Sequence, residues 1–158
     1  MNILIFANPV NALVGSPPAR GRVNDREKRH RAAHKRHSVQ LAVEDQEGAL
    51  LGYAGIMPSR PGHPLGSHFE IGWRLVRQAW GHGYATEAAR AALADGFIRV
   101  GLAEVVAYTA SDNLRSQAVM GRLQLHRDPS RDFTADYDSI KGWRGLVWVA
   151  RCNLVDSC

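Results

Sequence analysis

The sequence predicts an α+β fold in which a mixed, largely antiparallel sheet is flanked by helices. Three observations support this prediction. The chain has 158 residues, which suits one domain. Strand patterns joined by short turns come first, and single strands then alternate with helices. From residue 39 onward the predicted order is β-β-β-α-β-α-β.

The strands are predicted from apolar alternation and the helices from apolar residues at helical spacing. Gly72 lies inside the third strand and suggests a bulge or a close backbone approach. Ser111 or Asp112 is the predicted cap of the second helix. The predicted strands are Val39–Val43, Leu50–Ile56, Phe69–Val76, Glu104–Thr109 and Trp143–Val149, and the helices cover 85–97 and 114–123.

The N-terminal segment differs in composition from the rest of the chain. Residues 1–38 contain eight Lys/Arg against two Asp/Glu, whereas the remaining residues contain twelve against thirteen. Met1–Phe6 is apolar and predicts a short strand. Residues 23–37 are densely charged with few apolar residues, which predicts a loosely attached helix or a disordered stretch. We therefore divide the chain into a strand, loop and basic segment with partial disorder (1–37), one domain (38–152) and a tail (153–158).

Composition also bears on cellular context. Cys152 and Cys158 match no zinc or redox spacing, so free thiols in a reducing cytoplasm are expected and no metal site is predicted. The sequence contains no apolar run long enough to cross a membrane. The basic segment leaves nucleic-acid binding open as an alternative function, although no nucleic-acid motif accompanies it.

A glycine-rich turn follows the third strand and precedes the first helix, with the pattern Gln78-x-x-Gly81-x-Gly83. A helix N-terminus offers unpaired N–H groups and partial positive charge, and glycines let a ligand approach the backbone closely. The segment thus predicts a phosphate or pyrophosphate cradle. The two glycines alone are equally compatible with a tight turn that needs small residues.

The wider segment resembles a known family. Glu70-Ile71-Gly72-Trp73-Arg74-Leu75 followed by Ala79-Trp80-Gly81-His82-Gly83-Tyr84-Ala85-Thr86-Glu87-Ala88 resembles the acetyl-CoA motif of GNAT acetyltransferases. The run from Gly101 to Thr109, followed by Asn113-Leu114-Arg115-Ser116, resembles the next strand and the Asn-x-x-Ser helix of that family. The likeness is greatest to the ribosomal-protein alanine (RimJ/RimL-like) branch.

This resemblance implies an acetyl-CoA site. The turn would hold the pyrophosphate through its backbone, with His82 as a loop side chain near phosphate. The preceding strand would splay from its neighbour at a bulge and pair with pantetheine, and Asn113 would also bond the pantetheine arm. Trp80 is interpreted as a packing residue. The implied cofactor-binding residues are Ile71, Gly72, Trp73, Leu75, Gln78, Gly81, His82, Gly83, Tyr84, Ala85 and Asn113.

The implied reaction is direct attack of a primary amine on the thioester, which requires a base or a water relay. Glu70 is the candidate base, and its alternative role is a solvent-facing residue or an ion-pair partner. Ser116 matches the family residue that serves the leaving thiolate, and its alternative role is hydrogen bonding on the helix surface. No tyrosine lies between Asn113 and Leu125, so only Tyr108, otherwise a core strand residue, could replace the usual tyrosine.

The resemblance is weakest at both ends. The N-terminal region looks reduced, because the branch usually places a strand and two helices there to wall the acceptor pocket. The expected function is N-acetylation of a small-molecule amine or a protein N-terminus, and a homodimer is compatible with the short N-terminal region. The alternatives are a catalytically impaired acyl-CoA-binding module and a nucleic-acid-binding protein that uses the basic arm.

Overall fold

A computed structural model describes residues 3–4, through their backbone only, together with residues 38–137 and 140–152. Most of the basic segment and the C-terminal tail lie outside these residues, so the predictions for 5–37 and 153–158 are not addressed by the structure. Within the predicted N-terminal strand, Ile3–Leu4 is extended and pairs with the next strand.

The described residues include eight strands and two α-helices. A 3-10 turn, Arg77–Ala79, precedes the first helix and another, Pro129–Arg131, precedes β7. The strands are β1 Ile3–Leu4, β2 Val39–Glu44, β3 Leu50–Pro58, β4 Phe69–Leu75, β5 Glu104–Thr109, β6 His126–Arg127, β7 Phe133–Tyr137 and β8 Ile140–Arg151, and the helices are α1 Tyr84–Ile98 and α2 Leu114–Arg122.

The strand order is β1-β2-β3-β4-β5-β8-β6, and β7 pairs with β8 beside this path. The pairs are antiparallel except for β4 and β5, which are parallel. A parallel pair needs a crossover, and α1 supplies it between β4 and β5. The α+β prediction with a largely antiparallel sheet is confirmed.

Alternation along the central strands divides the core between the two faces of the sheet. Val105 and Ala107 of β5 belong to the cluster that contains Ala89 and Ala92 of α1 and Met120 of α2. Val106, between the first two, instead packs with Phe133, Ala135, Val147 and Val149. The helices therefore cover one face of the sheet, and the β7–β8 hairpin closes over part of the other.

The C-terminal third is richer in strand than predicted. His126–Arg127 and Phe133–Tyr137 are additional strands, and the last strand begins at Ile140 rather than at Trp143. Phe133 and Ala135 are buried while Thr134 and Asp136 face outward, so β7 has the alternation of a half-buried strand. Its pattern is short and begins directly after Asp132, so no strand was predicted there.

Two expectations from composition can be compared with the structure. Cys152 is a half-buried free thiol, as expected, whereas Cys158 lies outside the described residues. Across the part of the chain that the structure describes, no helix is both long enough and apolar enough to cross a bilayer.

Asp132 ties the C-terminal strands together. Its Oδ2 accepts a hydrogen bond from Arg127 Nη2 at 2.6 Å, and its Oδ1 accepts one from the backbone N–H of Val147 at 3.0 Å. Arg144 lies 3.6 Å away, and the Asp132 side chain is 12% exposed. The hydrogen bond from Arg127 holds the pKa of this carboxyl below its usual range, against the opposing effect of burial.

We expect Asp132→Asn to lower the free energy of unfolding by about 1–3 kcal/mol at pH 7, because Arg127 loses a charged partner in a partly buried site. The depressed folded-state pKa means that the wild-type advantage is present above the unfolded pKa of about 3.9 and is lost as the pH falls through the folded pKa. Urea unfolding across this pH range should show that the difference in free energy of unfolding between wild type and Asp132→Asn becomes smaller in acid.

The matched control is Asp112→Asn, because Asp112 is exposed. Its effect should stay within about 0.5 kcal/mol at every pH. If the stability difference between wild type and Asp132→Asn did not shrink below about pH 4, the charge of Asp132 would not be the stabilising feature.

Candidate functional site

The central cleft opens where β4 leaves β5. Their one register pair is Glu70 with Val106, whereas β4 stays paired with β3 from Phe69 through Leu75. The splay implied by the resemblance is confirmed. The expected bulge at Gly72 is wrong, because the register against β3 runs without a shift through Gly72 opposite Gly55. Beyond this pair, β4 continues along β3 and β5 continues along β8 while the two strands diverge from each other.

The glycine-rich turn lies at the open end of this cleft. Gly81 and Gly83 have φ of +81° and +85°, in the left-handed region that favours glycine. Gly83 is the N-cap of α1, and no side chain caps this helix. The first-turn N–H groups of α1 have no partners within the helix, so they are available to an anionic ligand.

A cavity of about 600 Å³ joins the splayed strand, the turn and α2. Its walls come from two stretches of chain, 73–86 and 113–122, which meet because α1 crosses from β4 to β5. The cavity is lined by Trp73, Arg74, Leu75, Ala79, Trp80, Gly81, Gly83, Tyr84, Ala85, Thr86, Asn113, Arg115, Ser116, Ala118, Val119 and Arg122.

Most of the predicted cofactor-binding residues meet at this cavity. Those that line it are Trp73, Leu75, Gly81, Gly83, Tyr84, Ala85 and Asn113, together with the candidate Ser116. Four predicted residues are not in its lining. Ile71 faces the core with 5% exposure, Gly72 lies next to it in β4, and Gln78 and His82 are exposed on the turn.

The N-terminus of α2 is capped differently from the prediction. The cap is Asn113, whose Oδ1 accepts a hydrogen bond from the backbone N–H of Ser116 at 3.2 Å. Ser111 and Asp112 are therefore wrong as caps, because the chain turns one residue later. The bond occupies the carbonyl oxygen of the Asn113 amide, whose nitrogen is a donor at the cavity wall.

Sequence reasoning missed the cationic wall of the cavity. Arg115 and Arg122 of α2 and Arg74 of β4 all line it. Arg115 and Arg122 are seven residues apart, which places them on one helix face, and this spacing could have identified them. The local sequence does not show that this face of α2 lies beside the glycine-rich turn, because the tertiary fold determines that placement.

Trp80 also has a different role from its predicted one. It is 42% exposed, so it is not a core packing residue. Its indole N–H donates to the carbonyl oxygen of Leu75 at 2.9 Å, and the Arg115 guanidinium lies 4.5 Å from the ring centroid. The ring thus links the end of β4 to the start of α2 at the rim of the cavity.

Glu70 lies at the point where β4 and β5 separate and is not in the cavity lining. Its Oε2 accepts a hydrogen bond from the Tyr108 hydroxyl and is 3.7 Å from His68 Nε2. Burial raises the pKa of Tyr108 far above its ordinary value, and the Glu70 carboxylate adds to the rise, so Tyr108 remains a neutral donor. Tyr108 is therefore more than a core residue, because its hydroxyl fixes the orientation of Glu70.

Aromatic side chains surround Glu70 and Tyr108 on the face opposite the helices. Tyr108 meets the rings of His63 and Phe133 at centroid distances of 5.2 Å each, and the Trp143 ring at 6.3 Å. Arg60 lies 4.3 Å above the ring of Tyr137 at the edge of this group. The result is a polar centre with aromatic walls, separated from the glycine-rich cavity by the sheet.

Comparison with known families agrees with this architecture. The family model described as "Acetyltransferase (GNAT) domain" matches residues 6–126, which is more than half of the chain. The protein therefore belongs to the GNAT acetyltransferase domain family.

Individual relatives are partial matches. The chain is 34% identical over 89 residues to the uncharacterized protein YkkB of Bacillus subtilis, covering 56% of this chain and 51% of that protein. It is 45% identical over 51 residues to the FsC-acetyl coenzyme A-N(2)-transacetylase of Aspergillus fumigatus, covering 32% and 22%. It thus spans about half or less of these relatives.

A solved acetyltransferase structure from Agrobacterium tumefaciens aligns with a TM-score of 0.57 and 29% identity, covering 72% of this chain and 61% of that one.

Proposed function

We propose that residues 38–152 form an N-acetyltransferase domain that transfers the acetyl group of acetyl-CoA to a primary amine, by direct attack in a ternary complex. One observation carries the proposal. A single cavity joins the free edge of β4 to the N-terminus of α1, which no side chain caps. Family membership and the acetyl coenzyme A named for the Aspergillus fumigatus relative support the same cofactor.

The cavity supplies a complementary group for each part of acetyl-CoA. The first-turn N–H groups of α1, beginning at Tyr84 and Ala85, would bind the pyrophosphate. The edge of β4 at Trp73 and Leu75 would pair with the two amides of pantetheine, and the Asn113 amide nitrogen would donate to the same arm. A backbone N–H of this edge would stabilise the oxyanion that forms on the thioester carbonyl.

The arginines at the cavity extend the anion site beyond the turn. Arg115 is positioned by the Trp80 ring, while Arg122 lies about two helical turns further along α2. Guanidinium groups bind phosphate through paired, charge-assisted hydrogen bonds. We assign them to the phosphates of the CoA nucleotide.

Two side chains would serve the chemistry from opposite sides of the cleft. Glu70 would accept a proton from the incoming ammonium, because a protonated amine has no free electron pair for attack. Ser116, at the cavity wall, would donate to the departing thiolate. The remaining contribution is the alignment of amine and thioester across the separation of β4 and β5.

The acceptor would approach from the aromatic face, where Glu70 lies. This face suits an amine carried on a small molecule or at a protein N-terminus, and the motifs favour the ribosomal-protein alanine (RimJ/RimL-like) branch. The aromatic rings would enclose the part of the acceptor next to the amine, and the Glu70 carboxylate would attract its charge.

We expect Gly83→Val to abolish acetyl-CoA binding, with at least a ~100-fold rise in Kd. A branched side chain at φ +85° is strained and would stand over the N–H groups that hold pyrophosphate. Isothermal titration calorimetry measures the change.

Gly48→Val is the matched control, because Gly48 has φ +84°, is exposed and lies in the turn between β2 and β3. It carries the same backbone strain far from the cavity, so its Kd should equal that of the wild type. Equal losses in the two variants would show that strain, and not a blocked cradle, is responsible. A folded wild type that failed to bind acetyl-CoA would overturn the proposed function.

We expect Arg115→Gln to weaken acetyl-CoA binding about tenfold, since a charge-assisted hydrogen bond contributes about 1.5–3 kcal/mol. The loss should shrink as salt rises, because screening weakens the wild-type contact. Arg99→Gln is the control, because Arg99 is the exposed C-cap residue of α1 and is already paired with Asp95. An unchanged Kd for Arg115→Gln would remove this residue from the site.

We expect Glu70→Gln to lower kcat/KM by roughly 10²–10⁴-fold while leaving the Kd for acetyl-CoA unchanged. Glutamine keeps an acceptor for Tyr108 but cannot take a proton. Thiol release measured against a panel of polyamines, amino acids and alanyl peptides provides the assay and identifies the acceptor.

Glu47→Gln, in the exposed turn after β2, is the control for Glu70→Gln and should match the wild type. Acetyl-CoA binding without turnover of any amine would favour the impaired acyl-CoA-binding module. Full turnover by Glu70→Gln would show that Glu70 is only a structural partner of Tyr108.

A further inference from the structure

Four polar side chains meet at the separation of β4 and β5, and we call them the vertex cluster: His63, His68, Glu70 and Tyr108. The nearest ligand atoms of His63, His68 and Glu70 all lie within 4.8 Å of one another. His63 comes from the loop between β3 and β4, His68 immediately precedes β4, and Tyr108 is on β5. The motifs of the sequence included Glu70 and Tyr108 but neither histidine.

Both histidines of the vertex cluster are buried with one nitrogen unsatisfied. His63 is 5% exposed, and the His68 side chain is 6% exposed. Among the described residues, neither Nε2 atom has a hydrogen-bond partner. Buried polar atoms normally have a partner, so two in one place indicate a site for a small polar molecule.

The other nitrogen of each ring determines where its proton lies. The backbone N–H of Leu65 donates to His63 Nδ1 at 3.1 Å, so this nitrogen is unprotonated and neutral His63 carries its proton on Nε2. His68 Nδ1 lies 2.9 Å from the carbonyl oxygen of Gly66, which can only accept. Neutral His68 therefore carries its proton on Nδ1 and has a lone pair on Nε2.

The two unsatisfied nitrogens are thus one donor and one acceptor, beside a carboxylate. A divalent cation fits poorly, because His63 presents a proton to it instead of a lone pair. A water molecule fits all three groups, since it can accept from His63 and donate to His68 and Glu70. Three hydrogen bonds are typical of a buried water.

We propose that His63, His68 and Glu70 hold one water molecule, and that His68 receives through it the proton that the acceptor amine releases to Glu70. The second part rests on the proposed function. In the acetyl transfer, the ammonium first loses one proton to Glu70, and this proton passes through the water to His68 Nε2. The amine nitrogen then bonds to the thioester carbon.

As the tetrahedral intermediate collapses, the C–S bond breaks and its electron pair leaves on sulfur. The second proton of the nitrogen goes to the thiolate, and the first leaves His68 for solvent. The net products are one amide, one CoA thiol and one proton. Glu70 is thereby returned to its charged form before the next amine binds.

The charges around His68 suit this role. Glu70 Oε2 lies 3.7 Å from its Nε2, while burial keeps Tyr108 neutral. Arg60, on the loop between β3 and β4, lies over the ring of Tyr137, and burial raises the pKa of Tyr137 so that it stays neutral. Burial lowers the pKa of His63, with further lowering by His68 and Arg60 against a rise from Glu70, so His63 stays neutral and keeps its Nε2 proton.

The first test is independent of acetyl transfer. Long-range ¹H–¹⁵N spectra of the whole protein distinguish the two neutral tautomers, and the variants His63→Gln and His68→Gln assign the signals. We expect His63 as the Nε2–H form and His68 as the Nδ1–H form. The reverse form of either ring, or stoichiometric Zn²⁺ binding that disappears in His63→Gln, would overturn the water site.

The second test is the pH dependence of kcat/KM with the amine that the panel identifies. His68→Gln should lower kcat/KM about 10–100-fold with an altered acid limb, while the Kd for acetyl-CoA stays unchanged because His68 is outside the cavity lining. Added imidazole should restore part of the rate to His68→Ala. His126→Gln, on exposed β6, is the control and should match the wild type.

A His68→Gln enzyme with wild-type kcat/KM and an unchanged pH profile would overturn the relay. If wild type itself turns over no amine, the proposed function fails and the relay fails with it. The tautomers of His63 and His68 measured by NMR would then still test whether the vertex cluster binds a water molecule.

Discussion

The early end of pairing between β4 and β5 is the constraint on which the rest of this structure depends. Glu70 and Val106 are the one register pair, and β4 then follows β3 while β5 follows β8. The backbone groups of β4 that would have met β5 instead line a cleft, where unpaired N–H and C=O groups are costly unless a ligand or water satisfies them. The cavity and the vertex cluster both lie at this separation.

Strand alternation assigns the chemistry to the two faces of the sheet. Ile71 and Trp73 of β4 pack with the helix-side core, together with Val105 and Ala107 of β5. Glu70 and Tyr108 have the opposite parity and meet on the other face. A shift of one residue in either strand would send Glu70 into the apolar core and break its contact with Tyr108. The register of β4 is thus as important to the site as the identity of its residues.

Sequence reasoning succeeded where the signal is local. The glycine pattern identified the turn before α1, and two adjacent motifs located Asn113 and Ser116 at one cavity. It failed where the answer depends on which surfaces meet. Arg115 faces the cavity because the fold brings α2 beside the glycine-rich turn, and Trp80 is fixed by the carbonyl of Leu75. No sequence motif marks His63 and His68, and their position becomes informative only in the fold, where Tyr108 of β5 lies against both rings. The catalytic assignments of Glu70 and Ser116 remain predictions.

The two sides of the cleft are encoded by different stretches of chain. The cavity uses β4, the glycine-rich turn, the start of α1 and one side of α2 along its length, whereas the aromatic face uses the loop between β3 and β4 and the β7–β8 hairpin. Loops and hairpins tolerate substitution better than the elements that fix the sheet. Substitutions in these segments could therefore reshape the aromatic face, including Arg60, Phe133 and Trp143, while the walls of the cavity on the other face of the sheet stay unchanged.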